Sequence, residues 1–149
     1  MEKPYKILLA FEDKQLSECC KNSLTDSYLV YVVNDAKRVY EIVHEVQLDL
    51  AILDYNLPNI NPIELHEGME YLHPATTIIL CTTEENEQVA KRIWHRRALD
   101  YIRKPFHVSG FVNEVNKILR YVVACDQIRT LEQRVLRLER ELKNLREEN

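Results

Sequence analysis

The sequence predicts an α/β domain built on a doubly wound parallel sheet and followed by a parallel coiled coil. Three observations predict it. Five short, β-branched runs alternate with segments of helical length, those runs are apolar almost without interruption, and from Ile128 onward the apolar residues fall into a strict heptad. Strands that are apolar on both faces must be covered on both faces, which for alternating β and α elements means a parallel sheet between helices.

The first run is Lys6 to Phe11 (KILLAF), followed by a helical face of Leu16, Cys19, Cys20 and Leu24. Tyr28 to Val33 (YLVYVV) precedes Val39, Ile42, Val43 and Val46, and Leu50 to Leu53 (LAIL) precedes Ile63, Leu65, Met69 and Leu72. Thr77 to Cys81 (TIILC) precedes Val89, Ala90, Ile93 and Trp94; Tyr101 to Ile102 precedes Phe111, Val115, Ile118, Leu119 and Val122. Each second set recurs at three or four residues and so lies along one helix face. Five such units give a (βα)5 domain over residues 1–123, with the flavodoxin-like strand order 2-1-3-4-5.

Residues 124–149 continue the last helix. Ile128, Val135 and Leu142 occupy heptad position a, Leu131, Leu138 and Leu145 position d, and neither Gly nor Pro interrupts them. β-branched residues at a with leucine at d favour a parallel two-stranded coil, hence a homodimer. The flanking charges agree, because Arg134 at g faces Glu139 at e of the partner strand and Glu141 faces Arg146. Each exposed pair contributes only about 0.2–1 kcal/mol, so they select orientation more than they add stability. A single helix folded back on its own domain needs a wider apolar stripe than two residues in seven.

Composition excludes several functions. The net charge of −4 gives no reason to expect nucleic acid, and the basic cluster Lys91, Arg92, His95, Arg96, Arg97, Arg103 and Lys104 reads as a solvated helix face. Cys19, Cys20, Cys81 and Cys125 lack metal-ligand spacing and read as reduced thiols, and no run approaches a signal peptide or the ~20 apolar residues of a membrane span. A cytoplasmic location without membrane partners is expected. With only Gly68 and Gly110, neither a GxxxxGK loop nor a GxGxxG turn can be formed, and the five histidines show no HExxH spacing.

In open parallel sheets, chemistry gathers at the carboxyl ends of the strands. Asp54 ends the run LAILD, with Pro58 breaking the loop beyond it; Glu12 and Asp13 follow the first run, Thr82 the fourth, and Lys104 the fifth, in DYIRKPF. A lone Asp there is more often a turn or helix cap, but four matching positions form a coherent set for phosphoryl transfer. Asp54 is the nucleophile that forms an acyl phosphate, a second carboxylate helps it hold Mg²⁺, and Lys104 and Thr82 take the phosphoryl oxygens.

With KILLAFED, LDLAILDYNLP, IILCTTE and ALDYIRKPF in place, the sequence resembles the receiver domains of two-component response regulators over residues about 4–123. The resemblance implies that Asp54 accepts phosphate from the phosphohistidine of a sensor histidine kinase or histidine phosphotransfer protein. It implies that Thr82 and Tyr101 move together as a switch, that Lys104-Pro105 is cis, and that Mg²⁺ is held by Glu12, Asp54 and the backbone carbonyl of Asn56. Asn56 and Glu84 flank the expected phosphate, where they help admit its hydrolytic water. Such a domain is a phosphoacceptor with self-catalysed transfer and dephosphorylation, not a turnover enzyme.

Departures from the family pattern are informative. Two acidic residues usually follow the first strand, and the ungapped match places Phe11 and Glu12 there; a gapped match using Glu12 and Asp13 shifts the first helix out of register. Half the acid pair is missing, so Mg²⁺ is expected to bind more weakly than is usual, and Phe11→Asp to tighten it. Pro62 and Arg97 stand where the family has glycine. The functional expectation is a receiver that relays its state through a dimeric coiled coil to an effector beyond Asn149. The alternative, which Phe11 favours, is a degenerate receiver acting as a phosphorylation-independent dimerisation and docking module.

Overall fold

A computed structural model describes residues 4–59, 61–72, 75–83 and 101–148, the side chains of Pro62, Ile63, His66 and Tyr101 excepted. Strands β1 (Lys6–Ala10), β2 (Leu29–Val33), β3 (Leu50–Asp54), β4 (Thr77–Thr83) and β5 (Tyr101–Lys104) are interleaved with α1 (Lys14–Leu24), α2 (Ala36–Glu45) and α3 (Pro62–Leu72). Helix α4 (Val108–Glu148) follows β5. The helix expected around Val89 to Trp94 lies outside the described residues, as do Glu84 and Arg97. All strand pairs are parallel and the order is β2-β1-β3-β4-β5, the order expected from sequence.

Burial explains which strands are central. Every residue of β3 is buried, whereas β2 at the sheet edge is mostly half-exposed. Alternation along the strands sorts the core into two layers. Leu8, Ala10, Ala51, Leu53, Ile78 and Leu80 pack with Val39, Val43, Leu65 and Met69 of α2 and α3. Ile7, Leu9, Phe11 and Ile52 carry the opposite parity and are fully enclosed, as are Phe111 and Val115 in the first turns of α4.

The local starts and turns are those the residues favour. Asp13 caps α1 by accepting from the N–H groups of Gln15 and Leu16, and Asp35 caps α2 by accepting from Arg38; such a cap is worth about 1 kcal/mol. Pro62 stands at the first position of α3, where a missing N–H leaves no helical bond unmade. The left-handed residue of the preceding loop is Asn59, at φ 66°, so this loop turns without a glycine.

Packing divides the chain into two compact units, Met1–Val115 and Asn116–Asn149, the division falling within α4. In the second unit Ile118, Leu119 and Val122 are buried, while the heptad residues from Ile128 to Leu145 are all exposed. An open apolar groove there is lined by Ile128, Leu131, Val135 and Leu136 and rimmed by Glu132 and Glu139. Among the described residues no helix is long and apolar enough to cross a membrane.

Candidate functional site

Strand β3 carries its apolar run to the sheet's carboxyl edge and ends in Asp54, whose side chain is fully enclosed. An enclosed carboxylate needs donors, and among the described residues three reach it. The Lys104 ammonium donates to Oδ2 at 2.6 Å, the backbone N–H of Glu12 to the same oxygen at 3.2 Å, and the backbone N–H of Asn56 to Oδ1 at 3.0 Å. The Asn56 contact is a turn closed by the Asp side chain itself. Leu57, whose N–H donates to the Asp54 carbonyl at 3.1 Å, is buried beneath this turn.

Sheet register delivers Lys104. Asp54 pairs with Cys81 across β3 and β4, and Thr83 pairs with Lys104 across β4 and β5, so the last residue of β5 extends past the edge where Asp54 ends. The Lys104-Pro105 peptide is cis. The Lys104 side chain keeps 19% exposure while its partner has none, so the ammonium approaches the carboxylate from the solvent side.

Thr82 is also buried, one residue beyond the register partner of Asp54, and its hydroxyl donates to the Thr83 carbonyl at 3.2 Å. Tyr101 opens β5, its side chain outside the described residues. The thiol of Cys81, beside the pair, is pushed up to about 12, first by burial, with the Lys104 charge pulling down and the Asp54 charge pushing up. A thiol so placed stays protonated and inert.

The segment after β1 shows what sequence reading missed. Glu12 is exposed and meets Asp54 through its main chain, and the Asp13 carboxylate is committed to capping α1. Phe11 is fully enclosed, edge-on to Phe111 at 5.9 Å between ring centroids, and Phe111 stacks on Phe106 at 5.0 Å. Its backbone is pinned on both sides: Phe11 N–H donates to the Val33 carbonyl at 3.2 Å, and Asn34 Nδ2 donates to the Phe11 carbonyl at 2.8 Å. Asn34 Nδ2 also lies 3.3 Å from Ser17 Oγ, which donates to the Asp13 carbonyl at 2.8 Å. Phe106 in KPF and the helical spacing of Phe111 were visible in sequence; their meeting with Phe11 was not.

Receiver domains generally bind Mg²⁺ at an acidic pocket. The donor set here does not fit that ion as built: both Asp54 oxygens already accept hydrogen bonds, one of them from an ammonium, the Glu12 carboxylate is exposed while its amide donates to Asp54, and Phe11 supplies no carboxylate. Octahedral magnesium needs oxygen acceptors on several sides.

Comparison with known proteins agrees with the geometry. The family model of the response regulator receiver domain matches residues 7–116. The chain is 31% identical over 116 residues to protein RcaC of Microchaete diplosiphon, covering 77% of this chain and 18% of the relative. It is 31% identical over 107 residues to the transcriptional regulatory protein CrdR of Helicobacter pylori, covering 70% and 50%. The chain thus spans half the length, or less, of these curated relatives. Among solved structures, NtrX of Brucella abortus superposes with a TM-score of 0.79 at 18% identity, over 87% of this chain and 30% of that one, a likeness of fold.

Proposed function

The chain belongs to the response regulator receiver domain family, and on that premise we propose that it accepts a phosphoryl group on Asp54 and relays the change through a dimeric coiled coil. The observation that carries this reading is the 2.6 Å contact between the Lys104 ammonium and Asp54 Oδ2 at the carboxyl edge of the sheet. An Asp54 oxygen attacks the phosphorus of a phosphohistidine presented by a sensor kinase or histidine phosphotransfer protein. The P–N bond breaks with its electron pair passing to the imidazole, and a P–O bond forms, giving an acyl phosphate. Lys104 and the N–H groups of Glu12 and Asn56 are already in place to receive the charge on the phosphoryl oxygens, so little reorganisation is needed.

Thr82 then turns its hydroxyl from the Thr83 carbonyl to the new oxyanion, and Tyr101 follows into the space released. Asn56 and Glu84 flank the water that later hydrolyses the acyl phosphate, with no further substrate turned over. The receiver occupies residues 1–123, and residues 124–149 pair in parallel with a second copy through Ile128, Leu131, Val135, Leu138, Leu142 and Leu145. The exposure of these six residues supports that pairing, and the greater length of the curated relatives supports an effector elsewhere in a longer cytoplasmic regulator.

A second reading has its own observation. Phe11 in the acid position favours a receiver that serves as a phosphorylation-independent dimerisation and docking module. Incubation of the full chain with phosphoramidate, followed by intact mass, separates the two. Wild type should gain one phosphoryl group and Asp54→Asn none; a wild type that gains nothing leaves the docking module standing.

A further inference from the structure

We propose that the phosphoacceptor site of this chain works without a resident divalent cation, because the residue standing where a second carboxylate is needed, Phe11, is instead a strut that holds the loop following Lys104. The inference rests on Asp54 being the acceptor.

Parity places Phe11 beside the site. Leu9 pairs with Ile52, and Phe11, one residue past β1 and still bonded to β2 through the Val33 carbonyl, and Asp54 each lie two residues further on, so both side chains belong to the same layer. Lys104 joins them, since Cys81 pairs with both Asp54 and Ile102, two residues before it. A carboxylate at position 11 would therefore stand over Asp54 and complete an anionic corner. An aromatic ring stands there, fully enclosed and edge-on to Phe111 at 5.9 Å.

The ring has a task. Phe111 stacks on Phe106 at 5.0 Å, and Phe106 is two residues past Lys104. The three rings tie the end of β1, the loop that follows Lys104, and the first turn of α4 into one packed unit. Edge-to-face and stacked ring pairs of this kind add attraction beyond that of their buried area. Phe11 and Phe111 are thus positioning residues for Lys104, which answers the charge of the incoming phosphoryl group together with the amides of Glu12 and Asn56. A divalent ion would have to displace that ammonium from Oδ2 while gaining no second enclosed carboxylate.

Two measurements on the full chain test this. Free Mn²⁺, read by electron paramagnetic resonance, reports occupancy without any reaction. Labelling by phosphoramidate, whose protonated nitrogen leaves as ammonia with the P–N electron pair, is followed by intact mass in Mg²⁺ or in EDTA. Wild type should leave the Mn²⁺ signal undiminished at about 1 mM and label at rates within roughly threefold in the two solutions. Phe11→Asp should bind Mn²⁺ at least ~10-fold more tightly; if it does not fold, Phe11→Asn replaces it. Phe11→Leu, which keeps an apolar side chain but loses the ring, should bind no more Mn²⁺ yet label about 10-fold more slowly, with Phe11→Tyr restoring the rate.

Submillimolar Mn²⁺ binding by wild type, or labelling abolished by EDTA, overturns the proposal; unaltered labelling of Phe11→Leu overturns the strut. If wild type is labelled in neither solution, Asp54 as acceptor is what fails, and the Mn²⁺ signal alone then decides the metal question.

Discussion

Leu53 in β3 and Leu138 in α4 are both leucines on apolar seams of the chain, yet the first has no exposure and the second 50%. All six heptad residues lie between 50 and 59%, whereas β3 is buried end to end. The difference is one of covering layers. A strand inside a parallel sheet is sealed by two strands and two helices of its own chain, but a two-in-seven helical seam has room for one partner helix only. The first kind of burial is complete within one chain, and the second asks for another.

Matched truncations break this comparison most severely. Leu53→Ala should destabilise the globular unit by about 2–5 kcal/mol, seen as an earlier urea midpoint. Leu138→Ala should leave the stability of that unit within about 0.5 kcal/mol and instead shift sedimentation from dimer toward monomer. A Leu138→Ala chain that unfolds early and stays dimeric would place the seam inside the domain.

Thiols sharpen the same contrast. Burial raises Cys20 and Cys81 from an ordinary value of 9.0 to about 12. The unfolded chain releases these protons first, so their contribution to stability is fully present below 9 and is lost as pH rises through 12. Urea midpoints should therefore fall from about pH 8 to about pH 11, and fall less when both residues are Ala. At neutral pH a disulfide thiol reagent should label exposed Cys19 at once and half-exposed Cys125 next, leaving Cys20 and Cys81 silent until unfolding.

The smallest effect is in the seam's charges. Arg134→Glu should oppose Glu139 of the partner strand and weaken dimerisation by about 1 kcal/mol, roughly fivefold in Kd, less in high salt. Restoration by Glu139→Arg in the same chain would fix the parallel orientation. An antiparallel pairing would leave the double variant no better.

Sheet order, the layers of the core and the edge position of Asp54 were legible in sequence, because strand burial and helix period are written at spacings of two to four residues. The site was legible as a set of positions rather than as contacts. Glu12 reads as a carboxylate ligand, and the structure adds that its main-chain N–H also meets Asp54; Asp13 reads as an alternative ligand, and its carboxylate caps α1. Pro62 reads as a departure from glycine until Asn59 is seen to make the turn.

What the sequence determined by itself was therefore everything periodic and local: five strands, their alternation with helices, the heptad, and one acid at the end of a closed strand. Only the tertiary structure decided which atoms surround that acid. Glu12 and Lys104 stand 42 and 50 residues from Asp54, and whether a side chain, an amide or an aromatic ring arrives there is set by how distant segments pack. No spacing within one segment records that.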